Sequence, residues 1–152
     1  MESTQRHPPL ATLRLYADTL DPAVVSKLLS VEPELAAKKG GGMTKRADGT
    51  QVSAKAGTWF VTTRRRKLGS NPARHLLWVY RLISPKFDVL KKAVPDLRAD
   101  FSLLVHDNEF ETKNLPAQLL QDVVALGELE IEIPERALDM IVDSKNIHKY
   151  IT

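Results

Sequence analysis

The sequence contains no cysteine and no long apolar run, and each absence excludes a class of protein. Without cysteine the chain has no disulfide bond, no thiol nucleophile and no thiolate metal site. No apolar run approaches the roughly 20 residues that a helix needs to span a bilayer. The opening residues, MESTQRHPPLATL, also lack the apolar centre of a secretory signal. We therefore expect a cytoplasmic protein that has no contact with a membrane.

The common catalytic and ligand-binding motifs are missing as well. No serine stands in a G-x-S-x-G context, and no two histidines have the H-x-x-x-H spacing of a metal site. The glycines at 40–42 lie beside lysines, but they lack the spacing of a phosphate-binding loop and no helix is predicted after them. His106 and Asp107 are adjacent in a predicted strand, so their side chains point to opposite faces. The sequence thus indicates no catalytic residue, metal ligand or cofactor, and it favours a non-enzymatic protein over an enzyme.

Alternating apolar and polar residues predict four β-strands. The most regular segment is ELEIEI, in which three glutamates alternate with three aliphatic residues. A second segment, GTWFVTTRRR, is rich in the aromatic and β-branched residues that strands favour. The predicted strands cover residues 12–17, 57–66, 100–107 and 128–133.

Prolines mark the predicted starts of the helices, because proline costs little at the first helical position. The pairs are Asp21-Pro22, Asn71-Pro72, Ser84-Pro85 and Leu115-Pro116, and apolar stripes at helical spacing follow them. Ser84-Pro85 indicates either two short helices or one kinked helix. Gly127 is the predicted end of the fourth helical segment. The segment ERALDMIVD, residues 135–143, is predicted as a short terminal helix.

The order of these elements predicts an α+β fold. A strand, a helix and a strand occur in residues 12–66 and again in residues 100–133, which indicates two β-α-β halves. We expect a four-stranded, mostly antiparallel sheet with helices on one face, in the style of a ferredoxin-like fold but with a helix between the halves. Residues 10–143 would form a single domain, residues 1–9 a flexible tail and residues 144–152 a C-terminal tail.

Positive charge is concentrated in one part of the chain. Residues 38–67 hold nine lysines and arginines and one acid, whereas the rest of the chain holds 13 basic and 18 acidic residues. The segment KKGGGMTKRADGTQVSAKAG, residues 38–57, has no helical stripe, although Asp48-Gly49 fits the turn of a hairpin. Such local basic density attracts nucleic acid, phosphate groups or an acidic protein surface.

The leading interpretation is an interaction module that binds an acidic protein partner, or a second copy of itself, through the open sheet face and the basic loop. The alternative is a nucleic-acid or phosphate-binding domain that uses residues 38–67, with Trp59 as a platform for stacked bases. A third interpretation is an uncharacterised enzyme. For residues 64–67, the interpretation that needs no ligand is a solvated strand end, or pairing of the arginines with the glutamates of ELEIEI, for which Arg14 is another candidate partner. The candidate binding residues are Arg14, Tyr16, Lys38, Lys39, Lys45, Arg46, Lys55, Trp59, Arg64, Arg65, Arg66 and Lys67.

Five pieces of the chain follow a pattern in their order and spacing: LRLYADTLDPAVVSKLLSVEP, Lys39-Gly40, AKAGTWFVTT, HLLWVYRLISPKFDVLKKA and PAQLLQDVVALGELEIEI. In these pieces the chain resembles a bacterial family known as domain of unknown function 4279. The resemblance runs from about residue 10 to residue 134, and the triple glycine, the Arg-Arg-Arg-Lys run and the C-terminal residues depart from it. It implies a compact cytoplasmic bacterial domain, and it implies no reaction and no catalytic residues.

Overall fold

A six-stranded, mostly antiparallel sheet forms the centre of the α+β fold. The computed structural model describes residues 7–45, 51–53 and 55–151, with side chains described outside residues 42–45 and 51–53. The strands are β1 (Leu10–Ala17), β2 (Leu35–Ala37), β3 (Gly42–Lys45), β4 (Gln51–Ser53), β5 (Gly57–Thr62), β6 (Arg98–Leu104), β7 (Glu128–Ile133) and β8 (Leu138–Val142). The main sheet has the order β2-β5-β1-β6-β7-β8, in which only β6 and β7 pair in parallel.

Three helical segments cover one face of this sheet. They are α1 (Pro22–Leu29), then α2 (Pro72–Ile83) joined to α3 (Phe87–Ala93) by a single 3-10 turn, and α4 (Ala117–Val124). The buried residues of these helices share one core with alternate residues of the strands. Because alternate residues of a strand point to the same side, the other side of the sheet faces away from the helices. Within the described residues, no helix is both long and apolar enough to cross a membrane.

Local sequence explains where the helices begin. The side chains of Asp21 and Asn71 each accept a hydrogen bond of 3.0 Å from a backbone N–H of the first turn. Proline follows both caps, as predicted. At Ser84 the predicted break is present, but the chain continues from α2 into α3 through the 3-10 turn.

All four predicted strands are present as β1, β5, β6 and β7, but the prediction of a four-stranded sheet is wrong. Two edge strands, β2 and β8, extend the sheet to six. The predicted terminal helix at residues 135–143 is instead the strand β8. A 3-10 turn and the left-handed backbone of Ala137, with φ of 48°, reverse the chain so that β8 pairs with β7. The alternation of Leu138, Met140 and Val142 was the missed signal.

The two predicted halves differ in the structure. The second half, β6-α4-β7, is a parallel β-α-β unit. In the first half β1 and β5 are antiparallel, because β2 and the β3–β4 pair lie between α1 and β5 in the chain. Strands β3 and β4 pair with each other, as a hairpin requires. The turn predicted at Asp48-Gly49 lies outside the described residues.

Chain ends also contribute to the packing. Pro9 is buried, and three side chains of the predicted C-terminal tail, Ile147, Tyr150 and Ile151, pack against the core. Residues 1–6 of the predicted N-terminal tail lie outside the described residues.

Candidate functional site

A cleft of about 950 Å³ opens at one end of the sheet, where β5 and β6 finish and β1 begins. We call it the basic cleft, and four parts of the chain line it: residues 7–10, residues 63–70, the start of α2, and residues 104–107. Its cationic residues are Arg64, Arg66 and Lys67, with His7, His75 and His106 beside them. Asp107 is the one carboxylate among the described residues that line the cleft. The surface of the cleft is therefore positively charged.

A buried chain of hydrogen bonds fixes the wall of the cleft. The Thr63 hydroxyl accepts a bond of 3.0 Å from the Ala11 N–H, and its oxygen lies 2.8 Å from Nδ1 of His75. The other ring nitrogen of His75 lies 2.8 Å from the Gly69 carbonyl oxygen. Since a carbonyl oxygen only accepts, Nε2 must carry the proton, and Nδ1 of a neutral ring then accepts a hydrogen bond from the Thr63 hydroxyl. This chain ties β1, the end of β5 and α2 to the connecting residues 64–70.

The cationic residues of the cleft follow directly after Thr63, whose position this hydrogen-bonded chain fixes. The backbone N–H of Arg66 donates to the Thr63 carbonyl at 3.0 Å, so the run after β5 begins as a tight turn. All four residues from Arg64 to Lys67 are exposed. The Arg66 guanidinium lies 4.5 Å from the centre of the Trp78 ring, a cation–π contact that holds this side chain against α2. The positive end of the α2 dipole also faces this region.

The two remaining histidines of the cleft contact each other. The rings of His7 and His106 are 5.1 Å apart and tilted by 54°. Nδ1 of His106 lies 3.2 Å from a carboxylate oxygen of Glu135. No group of three or more histidine, aspartate and glutamate side chains in the described part of the chain has the arrangement of a metal site.

The structure divides the predicted basic segment between the two ends of the sheet. Lys38 follows β2 beside the start of β5, whereas Arg64 follows the end of β5. At about 3.3 Å per residue, the five steps of β5 from residue 57 to residue 62 separate the two groups by roughly 17 Å. Lys38 and Lys39 form exposed ion pairs with Asp21 and Asp18, at 3.8 Å and 3.3 Å. The two lysines therefore lie away from the basic cleft.

Other predicted binding residues are also dispersed. Trp59 is fully buried on the helix side of β5, where its Nε1 donates a 3.0 Å bond to the Ser26 hydroxyl. This burial removes Trp59 as a platform for stacked bases. Lys55 is exposed just before β5, the backbone of Lys45 ends β3, and Arg46 lies outside the described residues.

Arg14 and Tyr16 lie on the open face of the sheet. Arg14 forms a cross-strand pair with Asp100 at 3.2 Å, and its guanidinium lies 5.4 Å from the centre of the Tyr16 ring. Burial, and then the neighbouring Asp100 carboxylate, raise the pKa of Tyr16. The pairing predicted between Arg64–Arg66 and ELEIEI is not formed, because β1 and β6 lie between β5 and β7.

The rest of the open face is acidic. Strands β6, β7 and β8 carry a group of carboxylates that we call the acidic strip: Asp100, Glu128, Glu130, Glu132 and Asp139. A hydrogen bond with Asp139, then burial and repulsion from Asp139 and Glu132, raise the pKa of Glu130. The strip borders a hollow of about 390 Å³ that also includes Phe60 and the exposed Ile141. The acidic strip thus lies on the open face of the sheet, and the basic cleft lies at the end of the sheet where Glu132 pairs with Leu104.

Sequence reasoning found the arginines of the cleft but not the residues that position them. Thr63, His75 and Trp78 have the patterns of ordinary strand and helix residues, and their contact arises from the tertiary packing. The pair Asn71-Pro72 was the available signal, since it places the start of α2 directly after the basic run.

Comparison with known proteins gives one match. No curated protein and no solved structure matches the chain. The sequence pattern of the family described as a domain of unknown function, DUF4279, matches residues 4–134. That range extends from before β1 through the end of β7. The chain therefore belongs to the DUF4279 family.

Proposed function

We propose that this domain is a non-enzymatic interaction module whose basic cleft binds an acidic segment of a partner protein. The observation that supports this most is the charge of the cleft. Arg64, Arg66 and Lys67 are exposed there, and Asp107 is the one carboxylate among the described residues that line it. Charge complementarity of this kind steers association and suppresses wrong partners. The open sheet face, where the sequence favoured an acidic partner, is not the proposed site, because that face carries the acidic strip.

The geometry favours a carboxylate-rich protein segment over a nucleic acid. Binders of single strands offer aromatic rings on which bases stack. Within the described residues, the aromatic side chains lining the cleft are histidines, Trp59 is buried, and Arg66 covers a face of Trp78. The acidic strip would also repel a long polyanion.

One observation supports nucleic acid as a second candidate. Beside the cleft, a hollow of about 450 Å³ brings Trp78 together with Lys67, Arg74 and Arg81. A half-buried aromatic ring among cations is a common arrangement for single-strand binding. The two candidates therefore need a direct comparison.

The test measures fluorescence anisotropy with two labelled probes of equal charge, a ten-residue glutamate peptide and a single-stranded oligonucleotide. Each is titrated with the protein at low and at moderate salt. We expect the peptide to bind more tightly at both. Binding of the oligonucleotide alone would favour the second candidate, and failure of both probes at low salt would reject the proposal.

A matched pair of variants locates the site. Arg64→Gln with Lys67→Gln should weaken peptide binding about tenfold, which corresponds to about 1.4 kcal/mol. Lys38→Gln with Lys39→Gln removes the same charge at the other end of the sheet, and we expect less than about a twofold effect, within the range of exposed pairs. Equal losses in both variants would contradict a site at the cleft.

A further inference from the structure

The open face of the sheet is accessible and chemically uneven. Its β5 and β1 side carries neutral residues such as Thr12, Thr58 and Phe60, and its β7 and β8 side carries most of the acidic strip. Glu128, Glu132 and Asp139 are exposed, and 44% of the surface of Ile141 is accessible. A flat face with both charge and exposed aliphatic surface is suited to a protein contact.

Within the described residues, few cations stand on the same face as the acidic strip. Arg14 and Arg98 are the basic residues that the described strands place there, and Arg14 already pairs with Asp100. Five carboxylates therefore face two arginines. Like charges directly opposite each other in a sheet are destabilising. A cationic surface placed over the strip would remove that repulsion.

The same chain carries a surface of opposite charge. From Glu128 to Glu132 the strip extends along β7 for roughly 13 Å, at about 3.3 Å per residue. The run from Arg64 to Lys67 begins as a tight turn and carries four positive charges. This run is exposed and lies at the end of the sheet, where a second copy can reach it.

We propose that the acidic strip of one copy of this chain binds the basic cleft of a second copy, with Glu130 and Glu132 facing Arg64 and Lys67. This inference rests on the proposed function of the cleft, and it names one source of the acidic partner. The two surfaces are different, so the contact is head to tail. If the rotation between neighbouring copies closes the assembly, a dimer or ring forms. Otherwise the copies continue as an open filament.

The experiment measures molar mass by light scattering during size-exclusion chromatography, from about 10 µM to about 1 mM protein, at low and moderate salt. We expect the mass of the wild-type chain to rise with concentration at low salt and to return to that of a monomer at moderate salt, because the contact is ionic. A monomer at all concentrations would overturn the inference.

Two complementary variants identify the surfaces. The first, Arg64→Gln with Lys67→Gln, keeps the acidic strip and loses the cleft charges. The second, Glu130→Gln with Glu132→Gln, keeps the cleft and loses part of the strip. Each alone should be monomeric, whereas an equimolar mixture should contain a 1:1 heterodimer, since one intact strip and one intact cleft remain. Association of either variant alone, or no heterodimer in the mixture, would contradict the inference.

Two further measurements separate this inference from the proposed function. The Lys38→Gln, Lys39→Gln variant should associate as the wild-type chain does. If the wild-type chain is monomeric while the glutamate peptide still binds the cleft, the inference fails and the proposed function stands. If the peptide fails to bind as well, both fail. Binding of a lysine peptide to the acidic strip of a wild-type chain that remains monomeric would assign the strip to a basic partner instead.

Discussion

The hydroxyl oxygen of Thr63 and Nδ1 of His75 lie 2.8 Å apart, both buried, where the end of β5 meets the first turns of α2. Thr63 also accepts the Ala11 N–H, and His75 also contacts the Gly69 carbonyl. Two side chains thus connect four parts of the chain around the basic cleft: β1, the end of β5, residues 64–70 and α2. The exposed cations of the cleft depend on this buried contact for their position.

Removal of the Thr63 hydroxyl should destabilise the domain. In Thr63→Val the shape is nearly kept, but the Ala11 N–H and the His75 ring lose a buried partner. An unsatisfied buried polar group costs about 1–3 kcal/mol, and we expect a loss of that size in the free energy of unfolding. Urea denaturation followed by circular dichroism measures it.

Thr12→Val is the matched control, because Thr12 lies half-buried on the open face of β1. Its free energy of unfolding should change by less than about 0.5 kcal/mol. If Thr63→Val were as stable as Thr12→Val, the hydrogen-bonded chain would not support the cleft.

Neutralising Glu130 should change how stability depends on pH. The pKa of Glu130 is raised in the folded chain, so the folded state holds this proton more tightly than the unfolded state. The free energy of unfolding therefore falls as pH rises from the ordinary carboxyl pKa through the raised folded value. Glu130→Gln removes this fall, and at neutral pH it should be more stable than the wild-type chain by about 0.5 kcal/mol.

Urea denaturation at pH 4 and pH 7 tests this difference between the variant and the wild-type chain. Glu109→Gln, an exposed position outside the acidic strip, serves as the control and should show no pH-dependent gain. A gain for Glu130→Gln that is equal at both pH values would contradict the assigned repulsion.

A side chain at Gly127 should damage the fold. A Cβ placed there would overlap the Ala99 carbonyl oxygen and would lie 2.8 Å from the carbonyl carbon. Both are backbone atoms of β6, so relief requires a shift of β6 relative to β7. We expect Gly127→Ala to lose about 3 kcal/mol of stability in urea denaturation, at the upper end of overpacking effects.

Gly40→Asn is a useful comparison for Gly127→Ala. Gly40 has φ of +82° with no atom within 4 Å of a Cβ, and asparagine tolerates this left-handed region. The loss there should be less than about 1 kcal/mol. If the two variants were equally stable, the close approach of Gly127 to β6 would not be a constraint.

Local patterns were sufficient for the elements with strong periodicity. ELEIEI formed β7 with the predicted bounds, and Asn71-Pro72 began α2 where expected. They were insufficient for β2, which has three residues and no full alternation. They also misassigned β8. The segment that begins ERAL is compatible with a helix by its local sequence, and it forms a strand because it pairs with β7.

A helix does end near Gly127, as the sequence predicts, but the reason for a glycine at this position is different. The sequence predicts it as the end of a helix through glycine's freedom in the left-handed region. The helix α4 ends at Val124, three positions before Gly127, and Gly127 is not among the described glycines with positive φ. The constraint is the space beside Ala99, which is distant in sequence.

By itself the sequence determined the α+β class, the four inner strands, the helix starts and the total charge, because these depend on residues within a few positions of each other. Tertiary structure alone decided where the charges stand. The nine basic residues of 38–67 are close together in the chain. Lys38, however, lies beside the start of β5 and Arg64 follows its end, so the two residues stand at opposite ends of the sheet. The carboxylates of β6, β7 and β8, distant in sequence, meet on one face because strand pairing brings them within contact distance.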